Sequence, residues 1–186
     1  MNVPDTAQSV PYPQSYLRYL AEYHGSRDYF ECHEIMEEYW KEQTGSRYEG
    51  SWLVLIRVAV ASYHARRGNW AGARKMIAKA ADEIEPARMN ELGLDGGRLA
   101  EMLRRAAREW AEGDSRTFRD LELPIADPAL LRECRRICSE NGWSWQPPVQ
   151  DVPSEIVNRH LTRDRSGVVE ARRQAAYRKK KGREKD

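Results

Sequence analysis

The sequence predicts an all-α protein: a compact bundle of five to six helices built from antiparallel helical hairpins, with an extended C-terminal segment and a basic tail. Three observations predict it. Apolar residues recur at spacings of three and four from about residue 14 to residue 140. The periodic runs are set off by Ser, Asp, Asn, Gly and Pro, the residue types that start and stop helices. One run, WLVLIRVAVASYH, is apolar on nearly all sides, as the middle of a bundle requires.

At 186 residues the chain can bury one sizeable core. No stretch reaches the roughly 20 apolar residues of a membrane span, and MNVPDTAQSVPYPQS lacks the basic and apolar regions of a secretory leader. The expectation is a soluble, cytoplasmic protein with no membrane partner. Cys32, Cys134 and Cys138 form no C-x2-C pair, so reduced, half-buried thiols are expected in place of disulfides or a zinc ribbon. The net charge of +2 conceals an asymmetry: from Asn158 onward 11 Lys or Arg face 4 Asp or Glu, whereas 20 face 25 before it. A polyanion would therefore meet the tail and not the acidic body.

Taken in order, residues 1–13 carry Pro4, Pro11 and Pro13 and read as an irregular lead-in to a bundle domain of residues 14–142. A first helix from Gln14 to His24 presents Tyr16, Leu20 and Tyr23 on one face and stops at Gly25. Ser26 or Asp28 caps a second, which runs to about Gln43. A third, from Glu49 to Arg67, is the buried one, with Arg57 as its polar exception. After Gly68, Asn69 caps a fourth with Trp70, Ala73, Ile77, Ala80 and Ile84 inward, and Pro86 lies beyond its end. A fifth spans Gly97 to Ala111, with Leu99, Met102, Leu103, Ala106 and Trp110 inward; residues 113–128 read as loop. Residues 129–140 fit a sixth helix stopped by Asn141-Gly142. Residues 143–157 hold Trp143, Trp145, Pro147, Pro148 and Pro153 and read as an extended segment anchored on the bundle by tryptophan. Residues 158–186 have little apolar surface to bury and are expected to fray.

The first two hairpins echo each other. Asp28, Tyr29, Cys32, Met36 and Tyr39 match Asn69, Trp70, Ala73, Ile77 and Ala80 at a constant offset of 41 residues. Each set opens with a capping residue and an aromatic, and apolar positions follow on one face. The pattern is of the tetratricopeptide kind, although two units fall short of the three a solenoid needs.

Residues 27–43, RDYFECHEIMEEYWKEQ, place His33, Glu37 and Trp40 on one helical stripe beside Phe30, where apolar residues would normally sit, so these polar groups are expected to be aimed at the core and to need partners there. Farther along, ASYHARRGNWAGARKMIAKA brings a Tyr-His pair, basic residues and Gly-Asn between two helices. Together these resemble the bacterial and archaeal helical family catalogued as domain-of-unknown-function family 309, whose signature is His-x3-Glu-x2-Trp. The resemblance covers about residues 14–112. Lys41 stands where that family would show Arg, which removes a bidentate role there. The resemblance implies an all-helical bundle and no established activity.

Three roles are open to His33, Glu37 and Trp40. They can lock helix packing as a satisfied polar network. They can hold a divalent metal, His33 and Glu37 chelating at i, i+4 with Glu34 or His64 as third ligand. HEIME is not the H-E-x-x-H pattern, since its fifth residue is Glu37, and no pair of Glu-x2-His motifs is present. They can also do acid-base work, for which no nucleophile is recognisably placed. Cys32 points about 100° away from His33. His64 is expected as a core histidine or as the group completing the His33 and Glu37 cluster. Arg57 is expected to pair with Glu34, Glu37 or Glu38, while His24 and His160 carry no signal. The run Arg178, Lys179, Lys180, Lys181, with Tyr177 beside it, could contact nucleic acid through phosphates.

The resulting expectation is a non-catalytic binding or scaffold module for a protein or peptide partner, with no cofactor. A metal-dependent protein centred on His33, Glu37 and His64 is the alternative from another class. A nucleic-acid-associated protein using the tail is a third.

Overall fold

The computed structural model of the chain describes residues 11–112 and 117–162. Its main helices are α1 (Gln14–His24), α2 (Tyr29–Glu42), α3 (Glu49–Arg66), α4 (Trp70–Glu83), α5 (Pro86–Glu91), α6 (Gly96–Ala111) and α7 (Pro128–Glu140). Two single turns, α8 (Ser154–Val157) and α9 (Arg159–Thr162), complete the described chain. The starts follow from side-chain chemistry. Asp28, Asn69, Asp95 and Asp127 each accept a hydrogen bond from a backbone N–H of the turn they open, those of Glu31, Gly72, Arg98 and Ala129. The fold is the expected all-α bundle. Pro86 does more than lie beyond α4: it occupies the first turn of α5, where its missing N–H has no partner to lose.

Neighbours in sequence are neighbours in space. α1 packs on α2, α2 on α3, α3 on α4 and α4 on α6, while α7 returns to α1. The loop before α7 is pinned by Asp95 N–H to Pro124 O at 2.8 Å and Ala126 N–H to Gly93 O at 2.8 Å. Gly93 has φ +77, and a Cβ there would sit 2.5 Å from the Tyr12 hydroxyl. Glycine is therefore the residue that lets this loop close on the α5–α6 turn.

The core is unusually rich in tyrosine. Tyr16, Tyr19 and Tyr23 on α1 are all fully buried, and each hydroxyl is tied to a different segment. Tyr16 donates to Leu92 O and Tyr19 to Leu55 O, both at 2.8 Å, and Tyr23 lies 2.9 Å from Ser62 Oγ. A buried hydroxyl without a partner costs about 1–3 kcal/mol, so these bonds make the aromatic core compatible with one helix arrangement. Cys32, Cys134 and Cys138 are free thiols and fully buried, not half-buried.

The 41-residue offset corresponds to real local geometry. Asp28 and Asn69 share φ −79, with ψ 76 and 72. The residues before them, Arg27 and Gly68, both have positive φ, 58 and 75. A tetratricopeptide-like superhelix is not shown. Residues 143–157 also depart from the expected extended segment: a 3-10 turn covers Val149–Asp151 and α8 follows. Residues 159–162, assigned to the tail by composition, instead form α9, which holds the α1–α2 turn through Arg159 and α3 through His160. The expected lead-in up to residue 10 and the tail from 163 onward lie outside the described residues, including Arg178, Lys179, Lys180 and Lys181. No helix among the described residues is long and apolar enough to cross a membrane.

Candidate functional site

On α2, three residues face the core at helical spacing: Tyr29, Cys32 and Met36, each fully buried. The stripe of His33, Glu37 and Trp40 is rotated from them to the border of the helix. His33 and Glu37 are therefore half-buried surface groups and not core groups, because the aromatic and sulfur-bearing positions already occupy the inward arc. His33 Nε2 lies 2.9 Å from Glu37 Oε2, and its Nδ1 lies 3.3 Å from Glu34 Oε1. Glu37 also takes Lys41 Nζ at 2.8 Å; that contact, with the imidazole, holds its carboxyl below the usual range. Trp40 Nε1 is buried with no partner among the described residues. The expected acceptor for the indole is thus not supplied.

One ligand atom each from His33, Glu34 and Glu37 lies within 4.8 Å of the others. Such a set has the donor types for a divalent ion, one imidazole nitrogen and two carboxylate oxygens. His64 does not join it. Its Nδ1 instead lies 3.1 Å from Asn69 Nδ2, which fixes the ring from the turn that opens α4. Burial, then Arg67 and His160, push the His64 imidazole below its ordinary pKa. Arg57 pairs with Glu83 of α4, not with Glu34, Glu37 or Glu38, because α3 turns that position toward α4.

His33 and His64 do meet at a cavity of about 280 Å³, lined by Tyr29, Phe30, His33, Val60, Tyr63, His64, Arg67 and His160. Phe30 and Tyr63 form an aromatic wall, with centroids 5.7 Å apart and planes at 60°. Arg67 lies over the Tyr63 ring at 5.4 Å. His160 closes the other side: its backbone N–H donates to the Tyr63 hydroxyl at 3.2 Å, and its Nδ1 is bonded to the same oxygen. A histidine without signal in the sequence thereby becomes part of the cavity wall.

A second polar cluster lies behind the same hairpin. Arg27 is only 1% exposed, with its backbone in the left-handed region. Both its terminal nitrogens bond Glu122, and its Nε lies 3.9 Å from Asp120 Oδ2. Tyr29 donates to Asp120, and Arg66 lies 4.5 Å above the Tyr29 ring while donating to Arg27 O at 2.7 Å. Arg159 bonds the capping carboxylate of Asp28 at 2.8 Å. His24, fully buried, sits 3.2 Å from Glu122 and stacks on Trp145 at 4.8 Å. Burial works to raise the Glu122 carboxyl, but the bonds from His24 and Arg27 outweigh it and hold it at about 2. Burial likewise keeps His24 below its ordinary pKa. The cluster neutralises an internal guanidinium and staples the C-terminal segment to the α1–α2 turn.

Sequence reasoning did not find Asp120, Glu122, His24 or His160 as partners. Asp120 and Glu122 lie in a loop with no periodicity to read. One signal was available: the 41-residue offset aligns Arg27 with Gly68, which marks position 27 as a turn residue carrying an unexpected long side chain.

The family described as "Domain of unknown function (DUF309)" has a model that matches residues 16–76. That stretch contains His33, Glu34, Glu37, Trp40, Arg57 and His64, but neither Glu122 nor His160. "Uncharacterized protein YpuF" of Bacillus subtilis (strain 168) is 39% identical over 175 residues, covering 93% of this chain and 99% of that protein. No solved structure matches the chain. With the signature stripe at the matched positions and 93% of its length aligned to a relative, the chain belongs to domain-of-unknown-function family 309.

Proposed function

We propose that this protein is a non-catalytic binding module and that its binding site is the cavity between α2, α3 and α9. The supporting observation is the cavity itself: an aromatic wall from Phe30 and Tyr63, hydrogen-bonding groups from His33, His64 and His160, and an exposed guanidinium, Arg67, in its lining. A drug-sized ligand takes roughly 300–1,000 Å³. About 280 Å³ suits one large side chain of a protein or peptide partner. The thiols support a role without nucleophilic chemistry, since burial pushes Cys134 up to about 12 and Cys138 up to about 11, and raises Cys32 well beyond its ordinary value.

The test is an NMR titration of the full chain with indole as a neutral aromatic probe. Shifts are expected at Phe30, His33, Tyr63 and His64, and Val60→Trp, which fills the cavity, should abolish them. Shifts scattered over other helices, or unaffected by Val60→Trp, would overturn the reading.

The metal reading is favoured by one observation, the convergence of His33, Glu34 and Glu37 within 4.8 Å. Titration with Mn2+ would broaden the signals of these three residues, and Glu34→Gln would remove the effect. Uniform broadening over the acidic surface would reject the site.

A further inference from the structure

We infer that the occupant of the α2–α3–α9 cavity is the C-terminal residue of a partner peptide, its apolar side chain inside and its free carboxylate at the Arg67 end. This rests on the proposal that the cavity is the binding site, and it adds the chemistry of the ligand.

The two ends of the cavity differ. At the α2 end, both nitrogens of His33 already face carboxylates, those of Glu37 at 2.9 Å and Glu34 at 3.3 Å. An incoming anion would meet negative charge there. At the α3 end the balance is reversed. Arg67 is exposed, lies against the Tyr63 ring, and has no carboxylate within ion-pair distance among the described residues; its Nε reaches only the Asn158 amide oxygen, at 3.4 Å. His64 Nδ1 faces the Asn69 side-chain amide at 3.1 Å, and the amide nitrogen must be the donor to a neutral ring. The proton of that ring is then on Nε2, which makes His64 a second donor among the lining groups. Among the described residues, no Asp or Glu lines the cavity.

A guanidinium and an imidazole N–H together suit a carboxylate, the guanidinium by its forked donors. The same lining carries Tyr29, Phe30, Val60 and Tyr63, with Phe30 in ring contact with both His33 and Tyr63, an apolar surface for a single large side chain. A side chain and an acid joined to one carbon describe a chain terminus. Capture of a C-terminal carboxylate next to an apolar anchor pocket is a recurring mode of peptide recognition. An internal acidic residue fits less well, because its own side chain carries the charge and would leave the aromatic wall uncovered.

Three peptides test this against the full chain, read by the NMR signals of Phe30, Tyr63, His64 and His160: acetyl-Gly-Gly-Phe with a free C-terminus, the same peptide as its C-terminal amide, and acetyl-Gly-Gly-Gly with a free C-terminus. The free Phe peptide should shift these signals saturably. The amide should bind at least about tenfold more weakly, the order expected for losing one charge-assisted hydrogen bond. The Gly peptide should leave the signals in place. Arg67→Gln, a change at an exposed position, should shrink the difference between acid and amide to what the His64 N–H alone contributes; an undiminished difference would overturn the placement of the carboxylate at Arg67. If acid and amide bind the unmodified chain equally well at the cavity, the carboxylate assignment is overturned while the cavity stands as the binding site. If neither the peptides nor indole shift the cavity signals, the binding-site reading falls with it.

Discussion

Glu22 offers a pH-resolved test of how the α1–α2 turn is built. Glu22 is 5% exposed, and its carboxyl is pushed up to about 7 by burial, with Asp28 and Glu31 adding to the effect and the Ser26 hydroxyl and Arg18 opposing it. Arg18 is 3.9 Å away and largely in solvent, so it screens little. The sign follows from proton linkage: between pH 4.5 and 7 the unfolded chain ionises Glu22 while the folded chain holds it neutral, so stability falls as pH rises. At about 1.36 kcal/mol per pH unit the cost reaches roughly 3 kcal/mol and is fully present above pH 7. Glu22→Gln keeps a hydrogen-bonding group beside Ser26 and removes the ionisation. Urea denaturation of both proteins from pH 4 to pH 8.5 should show them equal in stability near pH 4, with the variant more stable by up to about 3 kcal/mol at pH 8. A difference independent of pH would refute the assignment of this burial cost to Glu22.

Other outcomes follow from the same interior. Arg27→Met should destabilise by about 3–5 kcal/mol, because it leaves Glu122 and Asp120 without their buried counter-charge; Arg27→Gly should lose less than Arg27→Ala by about 1 kcal/mol, since only glycine adopts φ +58 without strain. Denaturant midpoints of the three variants decide this, and equal Gly and Ala values would contradict it. Asn69→Ala should cost about 1 kcal/mol as a lost helix cap. Asp28→Ala should cost measurably more, because its other carboxylate oxygen holds Arg159 at 2.8 Å. All three thiols should react with an aromatic disulfide reagent only as fast as the fold opens, with added urea accelerating the reaction; rapid labelling of any one in native buffer would contradict their burial.

The longer helices were legible because periodicity, caps and stops agreed at their boundaries, whereas the short α5, α8 and α9 are too brief to show a period. Gln14–His24 was read as it occurs, and Asp28 and Asn69 were readable as caps from their place after positions 27 and 68. The inward face of α2 was also legible, through the match of Tyr29, Cys32 and Met36 to Trp70, Ala73 and Ile77. The contacts of individual polar groups were not. A helical stripe fixes which residues share a face, but not which arc of the helix a neighbour covers, so His33 and Glu37 could be placed together and still be misplaced relative to the core. Arg57 shows the same limit, since its partner Glu83 depends on the α3–α4 packing and not on any local spacing. The cavity depends on His160, 97 residues from Tyr63, and the buried cluster on Glu122, 95 residues from Arg27. Pairings over such separations leave no trace in a local pattern.

The Arg27 to Glu122 pairing also sets an order of events in synthesis. A ribosome extends a chain by about 5–20 residues each second, so Arg27 precedes its counter-ion by roughly 5–20 s. Throughout that interval the first hairpin carries a guanidinium that cannot be taken inside. The emerging N-terminal half must keep its α1–α2 turn open to water until the loop after α6 arrives, and the bundle closes only then.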